Sequence, residues 1–314
     1  MKIAIIGAGA MGCLFGGKLS AKDNEVWLMD IDEEQIKAIN TNGLKIEEKD
    51  PNTGLIKDVL YENLKATSNP RDVGVVDLAI IFVKSINTGK AILSNIEMFD
   101  KSTYILTLQN GLGNVDAILN YASEAHVIAG TTSHGATMLE KGHIKHAGNG
   151  KTVIGELDGN KSVGLEKVLK VLKDAEIDTD ISENIQGVIW DKLLVNIGIN
   201  AITGICNVKN GEIALNLKLK ELMELAVLEA YEIAKAKGVL LNFKDPVAHT
   251  LEVSKATSEN KSSMLQDVQN SRKTEIEMIN GAIVSEGIKY SINTPVNKML
   301  TNLIQFKESM YGKL

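Results

Sequence analysis

Hydrophobic and polar positions follow two rhythms along this chain. Up to about residue 182, short apolar runs alternate with amphipathic stretches, the pattern of strands alternating with helices. Residues 2–6 predict a short buried strand, 10–21 a helix, 26–29 a second strand and 32–40 a helix ended near Gly43. Residues 44–61, around Pro51, Asn52 and Gly54, predict a hairpin insertion. Residues 75–83 are nearly all apolar, as in a central parallel strand covered on both faces, and 103–108 and 126–129 are similar. Helical stretches at 87–98 and 113–121 separate them. From 133 to 156, glycines and short alternating runs predict antiparallel strands that extend the same sheet, followed by a helix at 163–175. Beyond 183 strand signals nearly vanish, and helical periodicity runs through 185–205, 213–237, 247–257 and 263–287. The expected fold class is therefore α/β, a doubly wound sheet domain over 1–182 followed by an all-helical domain over 183–314.

The first chemistry lies in an ambiguous stretch. Between Lys2 and Lys18 the residues are uncharged and mostly apolar, the outline of a signal peptide. Gly7, Gly9, Gly12, Gly16 and Gly17 would weaken such a hydrophobic helix, and the run falls short of the ~18 apolar residues of a membrane span. A strand, a tight turn and a helix suit the residues better. Gly7-Ala8-Gly9-Ala10-Met11-Gly12 then forms G-x-G-x-x-G in the setting its chemistry requires. Gly7 permits the sharp turn, Gly9 lets the backbone approach a pyrophosphate, and Gly12 lets helix and strand pack closely. The helix N-terminus offers N–H groups and positive dipole to phosphates. Asp30 ends the second strand about twenty residues beyond the turn, where a carboxylate can bind an adenosine ribose. The first domain thus reads as a Rossmann-type dinucleotide-binding domain, which leaves substrate and catalysis to the helical one.

Composition narrows the partners. The chain has 314 residues, enough for two cores, and 44% hydrophobic and 24% charged residues with only four prolines leave little room for disorder. A net charge of -6 disfavours nucleic acid or an anionic membrane surface as the main partner. Cys13 and Cys206 lie far apart in apolar segments, so they read as reduced core thiols of a cytoplasmic protein. His143 and His146 would point to opposite faces of an extended segment, which disfavours a shared metal. His126 and His134 read as satisfied polar residues beside strands.

Polar residues interrupt helices that should be apolar. Lys192, Asn196 and Asn200 are four apart and form one stripe along an otherwise apolar helix. Such a stripe is either solvent-facing or the wall of a polar ligand site, where burial would lower the lysine pKa toward a range useful for acid–base work. Asn260 and Ser263 sit in a second polar cluster, and Ser263 with Gln266 has capping-box spacing, so Ser263 either starts a helix or binds a ligand. Glu275 is either a solvated helix charge or a carboxylate that orients a substrate hydroxyl or keeps an amine charged.

Taken together, these residues resemble the ketopantoate reductase (2-dehydropantoate 2-reductase) family over nearly the full length. The resemblance rests on MKIAIIGAGAMG at the start, VKS around Lys84, LQNGLGN around Asn110 and GTTSHGA from Gly130. It continues in WDKLLVNIGINAITGICNVKNGE from Trp190 and ENKSSMLQDVQNSRKTEIEMINGAIV from Glu259. By that resemblance the reaction is reduction of 2-dehydropantoate to (R)-pantoate, a step toward pantothenate and coenzyme A. Lys192 matches the catalytic proton donor, and Glu275 the glutamate that assists substrate binding and catalysis. Asn196, Asn200 and Asn260 match asparagines that hold the substrate, and Ser263 a serine that binds its carboxylate. The cofactor set that the resemblance implies comprises Gly7, Ala8, Gly9, Ala10, Met11, Gly12, Asp30 and Glu275, with Lys84 and Asn110 beside the nicotinamide end. Asn110 is counted with the substrate contacts as well.

One departure bears on the cofactor. Many NADPH-using members carry an arginine near the end of the second strand, where this chain reads Trp27-Leu28-Met29-Asp30-Ile31-Asp32-Glu33-Glu34. NADPH and NADH therefore both stand, and Asp30 favours NADH. Alternatives to the main reading are reduction of another small 2-oxo acid, or a non-catalytic cofactor-binding redox sensor. The long helices could also support a homodimer.

Overall fold

The computed structural model describes residues 1–49 and 53–312, so Pro51 and Asn52 of the expected hairpin lie outside the described residues. The chain divides into two compact units, Met1–Gln109 with Asn114–Ile185, and Asn110–Gly113 with Gln186–Leu314. The division falls slightly beyond the expected residue 182. It also assigns the loop at Asn110 to the helical unit.

The strands of the first unit are β1 (Lys2–Ile6), β2 (Glu25–Met29), β3 (Leu44–Lys49), β4 (Ile56–Tyr61), β5 (Leu64–Thr67), β6 (Leu78–Ile81), β7 (Tyr104–Thr107), β8 (Val127–Thr132), β9 (Gly135–Glu140), β10 (His143–Gly148), β11 (Thr152–Glu156) and β12 (Thr179–Ile181). Eight form one sheet in the order β12-β11-β8-β7-β6-β1-β2-β5, parallel throughout except where β11 runs against β8. Its helices are α1 (Ala10–Ser20), α2 (Glu33–Asn42), α3 (Pro70–Val73), α4 (Thr88–Ser94), α5 (Asn114–Leu119) and α6 (Val163–Asp174). Side chains alternate across a strand, so Ile3, Ile5, Leu28 and Ile80 enter one core while Ala4, Ile6, Met29 and Ile81 enter another. Both faces are buried, which is why these strands read as continuous apolar runs.

Residues 133–156 behave differently from the expectation of strands all extending one sheet. Only β11 extends it. β9 and β10 instead join the β3–β4 hairpin in a second sheet, ordered β4-β3-β10-β9, in which β10 runs parallel to β3. The reason lies in α1, which packs on both sheets. A Cβ on Gly16 would come 2.7 Å from Leu28 of the large sheet, and one on Gly17 would come 2.7 Å from Ile46 of the small one. Two adjacent glycines let both layers close on one helix.

The second unit contains α7 (Ile185–Cys206), α8 (Glu212–Leu215), α9 (Leu217–Ala236), α10 (Pro246–Ala256), α11 (Ser263–Gln269), α12 (Asn280–Tyr290) and α13 (Pro295–Ser309). By length and composition alone α7 could cross a membrane, yet Trp190, Leu193, Leu194, Ile197 and Ile202 are buried in the core of this unit. Two expected helices are broken. The 213–237 stretch divides at Asn216, whose side chain caps α9 by accepting from the Lys218 and Leu219 N–H groups. The 263–287 stretch divides where Ser271 turns left-handed (φ 51°) and residues Ile276–Met278 form a 3-10 turn. The last helix, α13, was not among the main helices expected, and it begins with Pro295 in its first turn.

Two other expectations change. Cys206 is exposed rather than a core thiol, whereas Cys13 is buried and desolvation pushes its thiol up to about 12. His134 is buried with its Nε2 unpartnered among the described residues, while its Nδ1 lies 3.1 Å from His146 Nε2. Burial, then His146 and Lys18, lower its pKa to about 4, so the ring is neutral.

Candidate active site

In the first unit, β1 feeds the glycine turn directly into α1. Gly7 has φ +107°, a conformation that side chains rarely adopt. A Cβ on Gly12 would come 1.9 Å from the Gly7 carbonyl oxygen, so only glycine allows this closure. Gly9 differs, because a Cβ there would meet nothing within 4 Å. The turn is therefore packed on its inner side and open at Gly9. No side-chain cap bonds the start of α1 and its first turn holds no acidic residue, in contrast to α2, which Asp32 caps. These features fit a dinucleotide pyrophosphate laid over Gly9 and the α1 N-terminus, beside Ala10 and Met11.

Asp30 does more here than ending a strand. Its Oδ2 accepts from the Ala8 N–H at 2.6 Å, and its Oδ1 from the Ile31 and Asp32 N–H groups at 2.8 and 3.1 Å. A carboxylate has about four acceptor sites, so about one is left for a ribose hydroxyl. Asp30 lines a cleft of about 180 Å³ with Gly7, Ile31, Ser68, Asn87 and Lys90. Lys90 is a cation in that cleft that the sequence motifs had not singled out. Lys84 lies just past β6, where its carbonyl accepts from Asn87 N–H at 2.8 Å.

In the second unit the stripe on α7 forms as the spacing requires. Lys192 and Asn196 are half-buried and Asn200 is buried. Thr203 continues the same face. Desolvation brings the Lys192 ammonium from its ordinary 10.5 down to about 8, against an opposing pull from the Glu275 carboxylate. Glu275 itself stands just before the 276–278 turn, off any α-helix, which removes the reading of a solvated helix charge. The Asn110 side-chain amide donates to Glu275 Oε2 at 3.3 Å. Leu112 N–H reaches the Met278 carbonyl at 2.9 Å, and a Cβ on Gly111 would come 2.3 Å from that same oxygen. Asn110 is thus delivered to Glu275 by a loop that only glycine lets dock.

Glu308 of α13 secures this arrangement from behind. Its Oε1 accepts from the Thr274 N–H and hydroxyl at 2.8 and 2.7 Å, and its Oε2 pairs with Lys273 at 2.5 Å. Sequence reasoning missed Glu308 because its partners lie on a distant segment. It also misplaced a cap. Ser262, not Ser263, caps α11, its hydroxyl accepting from Leu265 N–H at 3.0 Å and lying 2.8 Å from the Thr203 hydroxyl. Ser263 is exposed in the first turn of α11. Among the described residues its hydroxyl and the side-chain amides of Asn196, Asn200 and Asn260 bond no protein group.

The structure therefore gathers Lys192, Glu275 and Asn110 in one unit, Lys192 on the α7 face whose Thr203 lies beside Ser262, and places the glycine turn, Asp30 and Lys84 in the other. Known proteins match the chain in both halves. Residues 3–159 match the model described as ketopantoate reductase PanE/ApbA, and residues 184–308 match its C-terminal counterpart. The 2-dehydropantoate 2-reductase of Pyrococcus abyssi is 37% identical over 100% of both chains. A PanE/ApbA family ketopantoate reductase structure from Ralstonia eutropha JMP134 superposes with TM-score 0.89 at 29% identity, covering 99% of each chain. The ternary structure of D-mandelate dehydrogenase with NADH and anilino(oxo)acetate gives 0.90 at 30% identity, again over 99% of each. With both halves matched and whole-length relatives above 30% identity, this chain belongs to the ketopantoate reductase family and is an oxidoreductase.

Proposed function

We propose that the chain reduces 2-dehydropantoate to (R)-pantoate with a nicotinamide dinucleotide, using Lys192 as the proton donor. The observation that carries this reading is an ammonium on an apolar helix, brought to about 8 by desolvation and held charged by Glu275. When bound, the nicotinamide dinucleotide supplies the hydride that reaches the carbonyl carbon. Lys192 gives a proton to the carbonyl oxygen as negative charge develops there, and recovers one from solvent afterwards. Glu275 favours the charged lysine, and Asn110 fixes the orientation of that carboxylate. Asn196, Asn200 and Asn260 present amides to the hydroxyl and carbonyl groups of the substrate, and Ser263 presents its hydroxyl to the carboxylate.

NADH is our assignment for the preferred cofactor. Asp30 at the end of β2 supports it, as does the bound NADH named for D-mandelate dehydrogenase. That same likeness favours a second reading, reduction of an aromatic 2-oxo acid of the mandelate type, on the same residues.

The pH dependence tests the role of Lys192. Reduction needs the ammonium, so kcat/KM should fall as pH rises through about 8, while the reverse oxidation, which needs the neutral amine, should rise over the same range. Glu275→Gln removes a charge that raises the lysine pKa and should move both inflections to lower pH. A profile flat from pH 6 to about 9.5, or one unmoved in Glu275→Gln, would contradict this.

Substrate contacts are tested by neighbouring serines. Ser263→Ala should raise KM for the 2-oxo acid by about tenfold, with a smaller change in kcat, since a hydrogen bond to a carboxylate forms in ground and transition states alike. Ser262→Ala should instead lower stability by about 1 kcal/mol, the usual cost of a lost cap. The opposite assortment of effects would make Ser263 a structural residue only.

A further inference from the structure

Gln35 is a polar side chain buried in the first unit, only 2% exposed, on the inner face of α2. Its amide is engaged at both ends. Nε2 donates to the Ala8 carbonyl at 3.0 Å and to Cys13 Sγ at 3.3 Å, and Oε1 accepts from the Gly142 N–H at 3.0 Å. Cys13 Sγ–H also donates to the Ala8 carbonyl, at 3.2 Å. Asp30 holds the N–H of that same residue. Ala8, the second residue of the glycine turn, is therefore held through both of its backbone polar groups.

Gly142 belongs to the turn between β9 and β10 of the small sheet. Its φ is +72°, its carbonyl accepts from Lys45 N–H of β3 at 2.8 Å, and the adjacent Lys141 pairs with Asp32 at the start of α2. The Gln35 side chain thus ties the β9–β10 turn of the small sheet to the Ala8 peptide of the glycine turn. Burying an amide is costly unless every donor and acceptor is met, and an apolar residue would fill the same space without that requirement. A glutamine here makes sense where the orientation of a peptide matters.

We propose that Gln35 is a positioning residue of the dinucleotide site, bracing the Ala8 peptide against the β9–β10 turn so that the open side at Gly9 and the α1 N-terminus keep the spacing a pyrophosphate needs. This rests on reading the glycine turn as a dinucleotide site. It gives the small sheet a role in cofactor affinity.

The test measures equilibrium binding of NADH and of NADPH by nucleotide fluorescence, in wild type, Gln35→Met and Gln35→Glu, with melting temperature and kcat at saturating cofactor recorded for each. Loss of the brace should weaken both nucleotides about tenfold in the folded protein, the scale of one net hydrogen bond, and leave kcat at saturation within about threefold. A folded Gln35→Met protein with unchanged dissociation constants, or with kcat lost and binding intact, would overturn the proposal. Should Gln35→Met not fold, Gln35→Glu decides on the same readings, since it keeps the volume and the acceptor for Gly142 but loses the donor to Ala8. Wild-type protein that binds neither nucleotide would overturn the dinucleotide reading and the brace with it, whereas tight wild-type binding unaffected by either variant overturns the brace alone.

Discussion

Lys192→Ala is expected to lower kcat by about 10² or more while NADH still binds, the usual scale for losing a general acid. The chemistry explains the size. A carbonyl oxygen that accepts negative charge needs a proton from a group beside it, and the candidate nearest in type to Lys192 is Glu275, whose part is to hold the lysine charged. The Asn110 amide donates to it, and its charge raises the lysine pKa. The loss should fall mainly on kcat, because the proton is needed only as the oxyanion forms. Lys192→Arg should not rescue it, since a guanidinium is always charged and gives up its proton poorly. Near-normal kcat in Lys192→Ala, measured with both substrates saturating, would remove lysine from the chemistry.

A second large effect is expected in cofactor choice, with kcat/KM for NADH exceeding that for NADPH. A 2'-phosphate at the end of β2 would meet the Asp30 carboxylate, and two like charges about 4 Å apart at an effective dielectric near 20 exchange roughly 4 kcal/mol before screening. Asp30 lines the cleft, while Asp32 pairs with Lys141 and caps α2, so Asp30 decides. The opposing group is Lys90, which lines the same cleft. Asp30→Asn keeps an oxygen for the Ala8 N–H and removes the charge, so it should shift the ratio about tenfold toward NADPH. Lys90→Ala should weaken NADPH alone. A wild-type kcat/KM for NADPH about tenfold above that for NADH would contradict the assignment.

What could be read from the sequence was what short stretches decide. The β1–turn–α1 unit lies within twenty residues and each glycine has a local reason, so it was legible in detail. The α7 stripe was legible because a spacing of four puts Lys192, Asn196 and Asn200 on one face. Alternation in residues 133–156 identified strands but not the sheet they join, because period 2 says nothing of the partner; Gly16 and Gly17, weighed only as helix breakers, were the available sign of a second layer. The break before α12 depends on a left-handed Ser271, which no residue type announces. The cap at Ser262 rather than Ser263 is a matter of one residue, below what spacing resolves. Glu275 gained its setting from Asn110, 165 residues away, and from Glu308, and neither contact leaves a local pattern.

The central claim is the substrate, and initial rates of reduced-cofactor oxidation across a panel of 2-oxo acids test it most directly. With purified protein, NADH and NADPH in parallel, and 2-dehydropantoate set beside phenylglyoxylate and short branched 2-oxo acids, kcat/KM should be highest for 2-dehydropantoate and the product should be (R)-pantoate. A kcat/KM about tenfold higher for phenylglyoxylate or another 2-oxo acid, or no turnover of any member by protein that binds the cofactor, would contradict it.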